Sequence, residues 1–464
     1  MRRSFFQHDF CSTHTFISPP WGLQRNASRS NRTIFCALTP HPLLTSPKAQ
    51  KAFLTDVWGQ KPYLLRNLLP VQSLTPDELA GLSLHLPSRI IRGRGDGETQ
   101  GPYTLENGPF SEHSFATLPD RDWTLLVDRV NQCVPQVADL LDNFRFLPNW
   151  RLDDVMISYA PMGGSVGPHV DNYDVFLLQT SGRRLWKTAY SPINIHQERL
   201  VPGLDVRILQ GGFKSDEQWV LEPGDALYVP PRYPHHGISM GDDCVTYSIG
   251  FRAPSVASLL SGWITELVHQ QGLWDHLLKD DLHALLESIS DPSRLSDATI
   301  EKAYNTVLSK LRDDKGTKRL FRTWFASHVS QLGGGANEQD EASADEAEME
   351  QMILDILDLN ENASDFVVRQ KEGSVFVYLV GGEKVCMYID GEEWHADNTQ
   401  LASFICGRRS RSAAEYARLY KSHPSLKPLL RNLLHAGLLY VDGSTLVDEL
   451  YYEGTDSGLE RSVD

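Results

Sequence analysis

Gly163-Gly164-Ser165-Val166-Gly167-Pro168-His169-Val170-Asp171 is the stretch on which the reading of this chain turns. On an extended backbone, side chains at i and i+2 point to the same side, so His169 and Asp171 present an imidazole and a carboxylate together. That pair is two-thirds of a 2-His-1-carboxylate triad, which holds iron(II) and leaves three positions open for a cosubstrate and dioxygen. The tripeptide alone is weak: 16 histidines and 60 acids in 464 residues predict about two His-x-Asp/Glu by chance. A decoy stands at His395-Ala396-Asp397. What distinguishes His169 is its downstream company. Glu222-Pro223-Gly224-Asp225 reads as a turn and Ala226–Val229 as a strand. Pro230-Pro231-Arg232-Tyr233-Pro234 is then a stiffened, irregular exit to His235. Periodicity does not choose between His235 and His236 as third ligand. Thr180-Ser181-Gly182 is a second turn, so Arg184 lies on the strand after the His-x-Asp segment. Its guanidinium can reach the same cavity and grip a remote carboxylate through two parallel hydrogen bonds. 2-Oxoglutarate needs that grip while its keto acid end chelates iron.

Working outward, residues 150–253 alternate Val/Ile/Tyr/Phe-rich segments with Gly/Pro turns. Asp154–Tyr159, Asp174–Gln179, Arg184–Ala189, Gln218–Leu221, Ala226–Val229 and Val245–Phe251 are the expected strands of a sandwich or barrel. Upstream, the pattern predicts a helix and short strand over Ser46–Leu69, and a capping box at Thr75 and Glu78 with Pro76 at the first helical position. A helix is expected over Asp122–Leu141. After Pro254, Val256, Leu259, Leu260, Trp263, Ile264 and Leu267 restore the helical period. Gly333-Gly334-Gly335 opens an acidic linker, and Met352–Leu359 reads as a short helix. Gly381-Gly382 signals a hairpin, and Leu438–Val441 reads as a terminal strand. The Arg408-Arg409-Ser410-Arg411 cluster reads as a solvated helix start.

The formal charge of −16, from 44 Lys+Arg against 60 Asp+Glu, disfavours direct nucleic-acid binding and favours a basic partner. Cys11, Cys36, Cys133, Cys244, Cys386 and Cys406 include no C-x-x-C pair, which argues against a zinc ribbon. No stretch approaches the ~18 apolar residues of a membrane helix, so no membrane partner is expected. Residues 1–45 are rich in Arg, Ser and Thr, with Asp9 the only acid before Asp56. That is the composition of a chloroplast or mitochondrial transit peptide; the alternative is a cytoplasmic protein with an unstructured tail.

The run His169–Phe176, the Gly182-Arg183-Arg184-Leu185-Trp186 turn and strand, and Pro223-Gly224-Asp225 through Pro230-Pro231 to His235 resemble the JmjC-type 2-oxoglutarate oxygenases. More narrowly they resemble the bacterial ribosomal oxygenases that hydroxylate an arginine of a large-subunit ribosomal protein. The likeness extends from Trp58-Gly59-Gln60-Lys61-Pro62 to Tyr247–Pro254. The resemblance implies an α+β fold: a double-stranded β-helix (cupin-like jelly roll) with flanking helices, a helical dimerisation region and a C-terminal winged-helix-like domain. It implies domains at 46–254, 255–332 and 352–464, with a linker at 333–351. It implies iron held by His169, Asp171 and His235, the first histidine after the proline segment being the family's ligand. Arg184 would bind 2-oxoglutarate, Ser158 would line the pocket, and dioxygen is the second cosubstrate. Tyr173 and Asp174 are candidates for contact with a basic ribosomal protein substrate, and a homodimer is implied. His236 stands where close bacterial relatives carry an acid. Hydroxylation of another protein residue, histone demethylation, a metal-bound cupin enzyme that does not use 2-oxoglutarate and a non-catalytic cupin-fold binding protein are the competing readings.

Overall fold

The computed structural model describes residues 41–93, 103–271, 277–278, 297–311, 315–331, 346–358, 366–381 and 384–442. The turn-rich stretch forms strands as expected, and upstream segments join them. In chain order these are β1 (Tyr63–Leu65), β2 (Ser88–Arg92), β3 (Thr104–Asn107), β4 (Trp123–Val127), β5 (Leu152–Ala160), β6 (Asp174–Ser181), β7 (Arg184–Thr188), β8 (Glu217–Leu221), β9 (Ala226–Val229), β10 (His235–Ser239) and β11 (Cys244–Phe251). One sheet runs β1-β9-β6-β11-β5-β4-β2-β3 and a smaller one β10-β7-β8. This is a cupin-like antiparallel core with flanking helices, an α+β fold.

Strand alternation sets what lies between the sheets. β6 and β9 pair with Val175 opposite Val229, Phe176 opposite Tyr228 and Leu177 opposite Leu227. Val175, Leu177, Leu227 and Val229 pack with Trp186 and Leu221 of the smaller sheet and with Tyr233. Phe176 and Tyr228 turn the other way and meet Phe53 and Trp58. Each such large apolar side chain stabilises the fold by roughly 1.5–3 kcal/mol when fully buried. A one-residue slip would exchange the two faces, so register here is strongly specified.

The helix expected over Asp122–Leu141 does not form as one element. Trp123–Val127 is β4, buried at all five positions, and helix is confined to Pro135–Leu140 after a single 3-10 turn at Val130–Gln132. A strand buried on both faces is a continuous apolar run, which spacing alone does not separate from a helical stripe. β2, β3 and β10 were also not expected. The helix Pro47–Asp56 does lead to β1, and the Thr75–Glu78 capping box is present with Pro76 behind it.

The chain divides into two compact units, residues up to 130 with 155–249, and 131–154 with those from 250 on. In the second unit the restored helical period yields the helices Val256–Gln271, Asp297–Leu311 and Lys315–Gln331. β12 (Val367–Gln370), β13 (Phe376–Gly381), β14 (Lys384–Ile389), β15 (Glu392–Ala396), β16 (Ser410–Ser412) and β17 (Leu439–Asp442) form the sheets β16-β12-β17 and β13-β14-β15. The expected hairpin is β13–β14. Ile353, Ile356, Leu430 and Leu433 from the helices Glu346–Asp358 and Leu426–His435 fill the core. Segment 131–154, expected with the catalytic residues, packs here: Asp139 pairs with Arg369, and Asp142 accepts from the Arg409 amide. The Arg408–Arg411 cluster is not a solvated helix start. Arg409 is buried, β16 occupies Ser410–Ser412, and Arg411 pairs with Glu415 over the Phe404 ring. Residues 1–40, Gly333-Gly334-Gly335 and the acidic stretch to residue 345 lie outside the described residues.

Candidate active site

His169 and Asp171 lie on the segment entering β6, and His235 opens β10. Residues 169 and 235 form an isolated antiparallel bridge, each amide donating to the other's carbonyl at 3.0 Å. The imidazole centroids are 4.1 Å apart. Asp171 Oδ2 is 4.0 Å from His169 Nε2 and 3.4 Å from His235 Nε2, and one ligand atom from each residue lies within 4.8 Å of the others. Metal–nitrogen and metal–oxygen bonds of about 2.0–2.2 Å separate two donors on one ion by up to about 4 Å, so the carboxylate and both rings fit a shared ion.

The outer ring nitrogens are committed elsewhere. His169 Nδ1 is 2.9 Å from Gly167 O, and His235 Nδ1 is 3.1 Å from Tyr233 O. A proton on each Nδ1 satisfies those carbonyls and leaves both Nε2 lone pairs facing Asp171. His235 Nε2 is buried without a hydrogen-bond partner, which is costly unless something takes that lone pair. Burial, then the nearby His235, pushes His169 down to about 4. Burial alone would raise the Asp171 pKa, but the neighbouring imidazoles of His235 and His169 and the charge of Arg207 outweigh it and hold the carboxyl below its ordinary value. At neutral pH His169 is therefore neutral and Asp171 ionised, the states in which they can ligate a cation.

The triad lines a cavity of about 330 Å³ with Arg184, Ser158, Tyr173 and Trp186. Arg184 is buried on β7. Its Nε is 3.3 Å from Cys244 Sγ, its guanidinium lies 5.8 Å from the Trp186 ring, and its Nη2 has no partner. No carboxylate among the described residues pairs with it. Taking an ion out of water costs several kcal/mol even after relaxation, so an incoming carboxylate would remove a standing deficit. Ser158 Oγ donates to Thr246 O at 3.3 Å, which leaves Ser158 as wall.

Of the remaining candidates, Tyr173 lines the cavity and is 40% exposed. Asp174 does not join it. Alternation along β6 turns Asp174 to the opposite face, where it is buried and accepts the Tyr228 hydroxyl at 2.6 Å; its role is structural. His236 likewise alternates away from His235, with Nε2 3.0 Å from Ser165 Oγ. Burial above all pushes it down to about 3, so it is a neutral core histidine. Arg89, Asp205 and Arg207 line the cavity and were not foreseen. Arg207 and Arg232 share Glu198, and Arg89 pairs with Asp128 at 2.7 Å. Arg207 and Asp205 lie between strands, where no periodicity marks them. Thr246 and Ser248, also on the wall, sit at i and i+2 of an expected strand, and that spacing was the available signal.

A JmjC domain model matches residues 139–259, which hold the triad and Arg184, and an AraC-like ligand binding domain model matches residues 214–305. The chain is 30% identical over 404 residues to the ribosomal protein uL16 3-hydroxylase of Escherichia coli (strain K12), covering 84% of this chain and 97% of that one. It is 34% identical over 284 residues to a probable ribosomal oxygenase of Haemophilus influenzae, covering 60% and 68%. The structure of YcfD, a ribosomal oxygenase from Escherichia coli, in complex with cobalt and 2-oxoglutarate matches with a TM-score of 0.63 at 28% identity, over 85% of this chain and 98% of that one. Spanning nearly the whole E. coli hydroxylase at that identity, and folded as YcfD is folded, the chain belongs to the JmjC-domain ribosomal oxygenases, a family of 2-oxoglutarate-dependent hydroxylases.

Proposed function

We propose that this enzyme hydroxylates an arginine side chain of a large-subunit ribosomal protein of the uL16 type, using iron(II), 2-oxoglutarate and dioxygen. One observation carries the reading. A single cavity holds a buried imidazole nitrogen without a partner beside Asp171 and a buried guanidinium without a carboxylate. His169, Asp171 and His235 would hold the ion, and Arg184 would fork onto the remote carboxylate of the cosubstrate. Bound there, iron(II) and 2-oxoglutarate supply the oxidising chemistry: dioxygen is consumed, the keto acid loses carbon dioxide to become succinate, and a C–H bond becomes C–OH.

The chain's own contribution is positional. The Nδ1 hydrogen bonds aim both imidazoles, and no side chain is required as a base. Tyr173 offers an aromatic face, and Asp205, 3.8 Å from Arg89 and about half exposed, a carboxylate at the wall; both suit a cationic side chain. The net charge of −16 favours encounter with a basic protein.

The second unit we read as a helical dimerisation region followed by a winged-helix-like domain. Pairing is supported by exposed apolar residues at helical steps, Val256, Leu260 and Ile264 on one helix and Ile300, Tyr304 and Val307 on another. The basic composition of residues 1–45 supports import into an organelle.

Protein supplied with iron(II), 2-oxoglutarate and a peptide from the uL16 target loop should release succinate in step with oxygen uptake, and an arginine should gain the mass of one oxygen atom. Succinate without a modified ribosomal protein, in cells with and without the gene, would select another protein target. No succinate would select a binding role.

A further inference from the structure

Away from the cavity, Cys386, Glu393 and His395 also bring metal-binding atoms within 4.8 Å of one another. Cys386 is directly opposite His395 in the β14–β15 ladder, and Tyr388 is opposite Glu393. Alternation places all four on one face of the hairpin. Cys386 Sγ is 3.7 Å from His395 Nδ1, and that nitrogen is 3.9 Å from Glu393 Oε1. The Tyr388 hydroxyl donates to the other Glu393 oxygen at 3.0 Å, the kind of outer bond that orients a ligating carboxylate. Asp397, the partner of His395 in the decoy tripeptide, is not in the cluster. The face is open, with 65% of the His395 side chain and 44% of Glu393 exposed.

We propose that this face binds a divalent cation of the zinc type through Cys386 Sγ, Glu393 Oε1 and His395 Nδ1, with water in the fourth position. A thiolate and an imidazole select zinc-like ions over magnesium or calcium. Bonds of about 2.3 Å to sulfur and 2.0–2.1 Å to nitrogen on a tetrahedral ion put those donors about 3.5 Å apart, close to the spacing found. The thiol gives its proton to solvent on binding. This site is independent of the hydroxylase reading.

Full-length protein stripped of metal and titrated with cobalt(II) tests the site. Sulfur-to-cobalt charge-transfer absorption would report Cys386, because the cavity triad contains no sulfur. The band should appear in the wild type, persist in His169→Ala, and vanish in Cys386→Ser and in His395→Ala. In the unmodified chain, zinc should slow alkylation of Cys386, followed by mass spectrometry of its peptide, at least about tenfold. No band at saturating cobalt, a band that survives Cys386→Ser, or alkylation indifferent to zinc would each overturn the proposal.

Discussion

Arg184 and Arg369 are the same side chain put to opposite uses. Arg369 on β12 meets Asp139 Oδ1 and Asp442 Oδ2, each at 2.7 Å. Burial opposes its charge, yet those two carboxylates hold its pKa above the ordinary value. Arg184 is 2% exposed and has a sulfur and an aromatic ring for neighbours. Arg409 shows that depth alone does not decide. It too is buried with unpartnered nitrogens. Burial and Arg145 lower its pKa, and the fields of Asp142, Glu372 and Asp139 oppose that lowering only in part. A buried cation compensated by the chain's own acids is architecture, whereas one left uncompensated beside a metal-type cluster is a receptor for an anion.

The sharpest test of that contrast is the largest expected effect. Asp171→Ala should lower succinate release by more than about 100-fold, since even an outer-shell partner of a metal can cost 10–100-fold; its melting temperature should change little. Next, Arg184→Met should raise the KM for 2-oxoglutarate about 10–100-fold, the worth of a charge-assisted fork. It should leave unfolding by urea unchanged or shift it to higher concentration, because an uncompensated buried charge is removed. Arg369→Met should do the reverse. Its acids are partly exposed, so a loss of about 1–2 kcal/mol of stability is expected from urea titration, with the KM for 2-oxoglutarate unmoved. If Arg369→Met instead altered cosubstrate binding, the contrast would fail. The smallest effect belongs to Asp205→Asn. The KM for a cationic peptide should rise a few-fold, as for an exposed pair of about 0.5–1 kcal/mol, with turnover at saturation retained.

Much of the site was legible because its chemistry is local. His169 and Asp171 are two residues apart, and the prolines from Pro230 to Pro234 mark the approach to His235. The choice between His235 and His236 was not legible from periodicity. It depends on which face of β10 turns inward, and the partner strand settles that: His235 pairs with Thr188 and His236 with Lys187. Asp174 was misplaced for the same reason, one step of alternation along β6. Trp123–Val127 defeats pattern reading for another reason: it is buried on both faces and carries no period. Arg409 looked solvated because its acidic surroundings come from residues 139–142, which no local pattern connects to it.

The exchange of amide hydrogen bonds between residues 169 and 235 has a consequence for assembly of the centre. The backbone, not the ion, draws the two imidazoles together, so the ligand cage exists before loading and little ordering entropy remains to oppose capture. Those two amides should then resist deuterium uptake in metal-free protein as well as in loaded protein, the signature of a socket rather than a clasp.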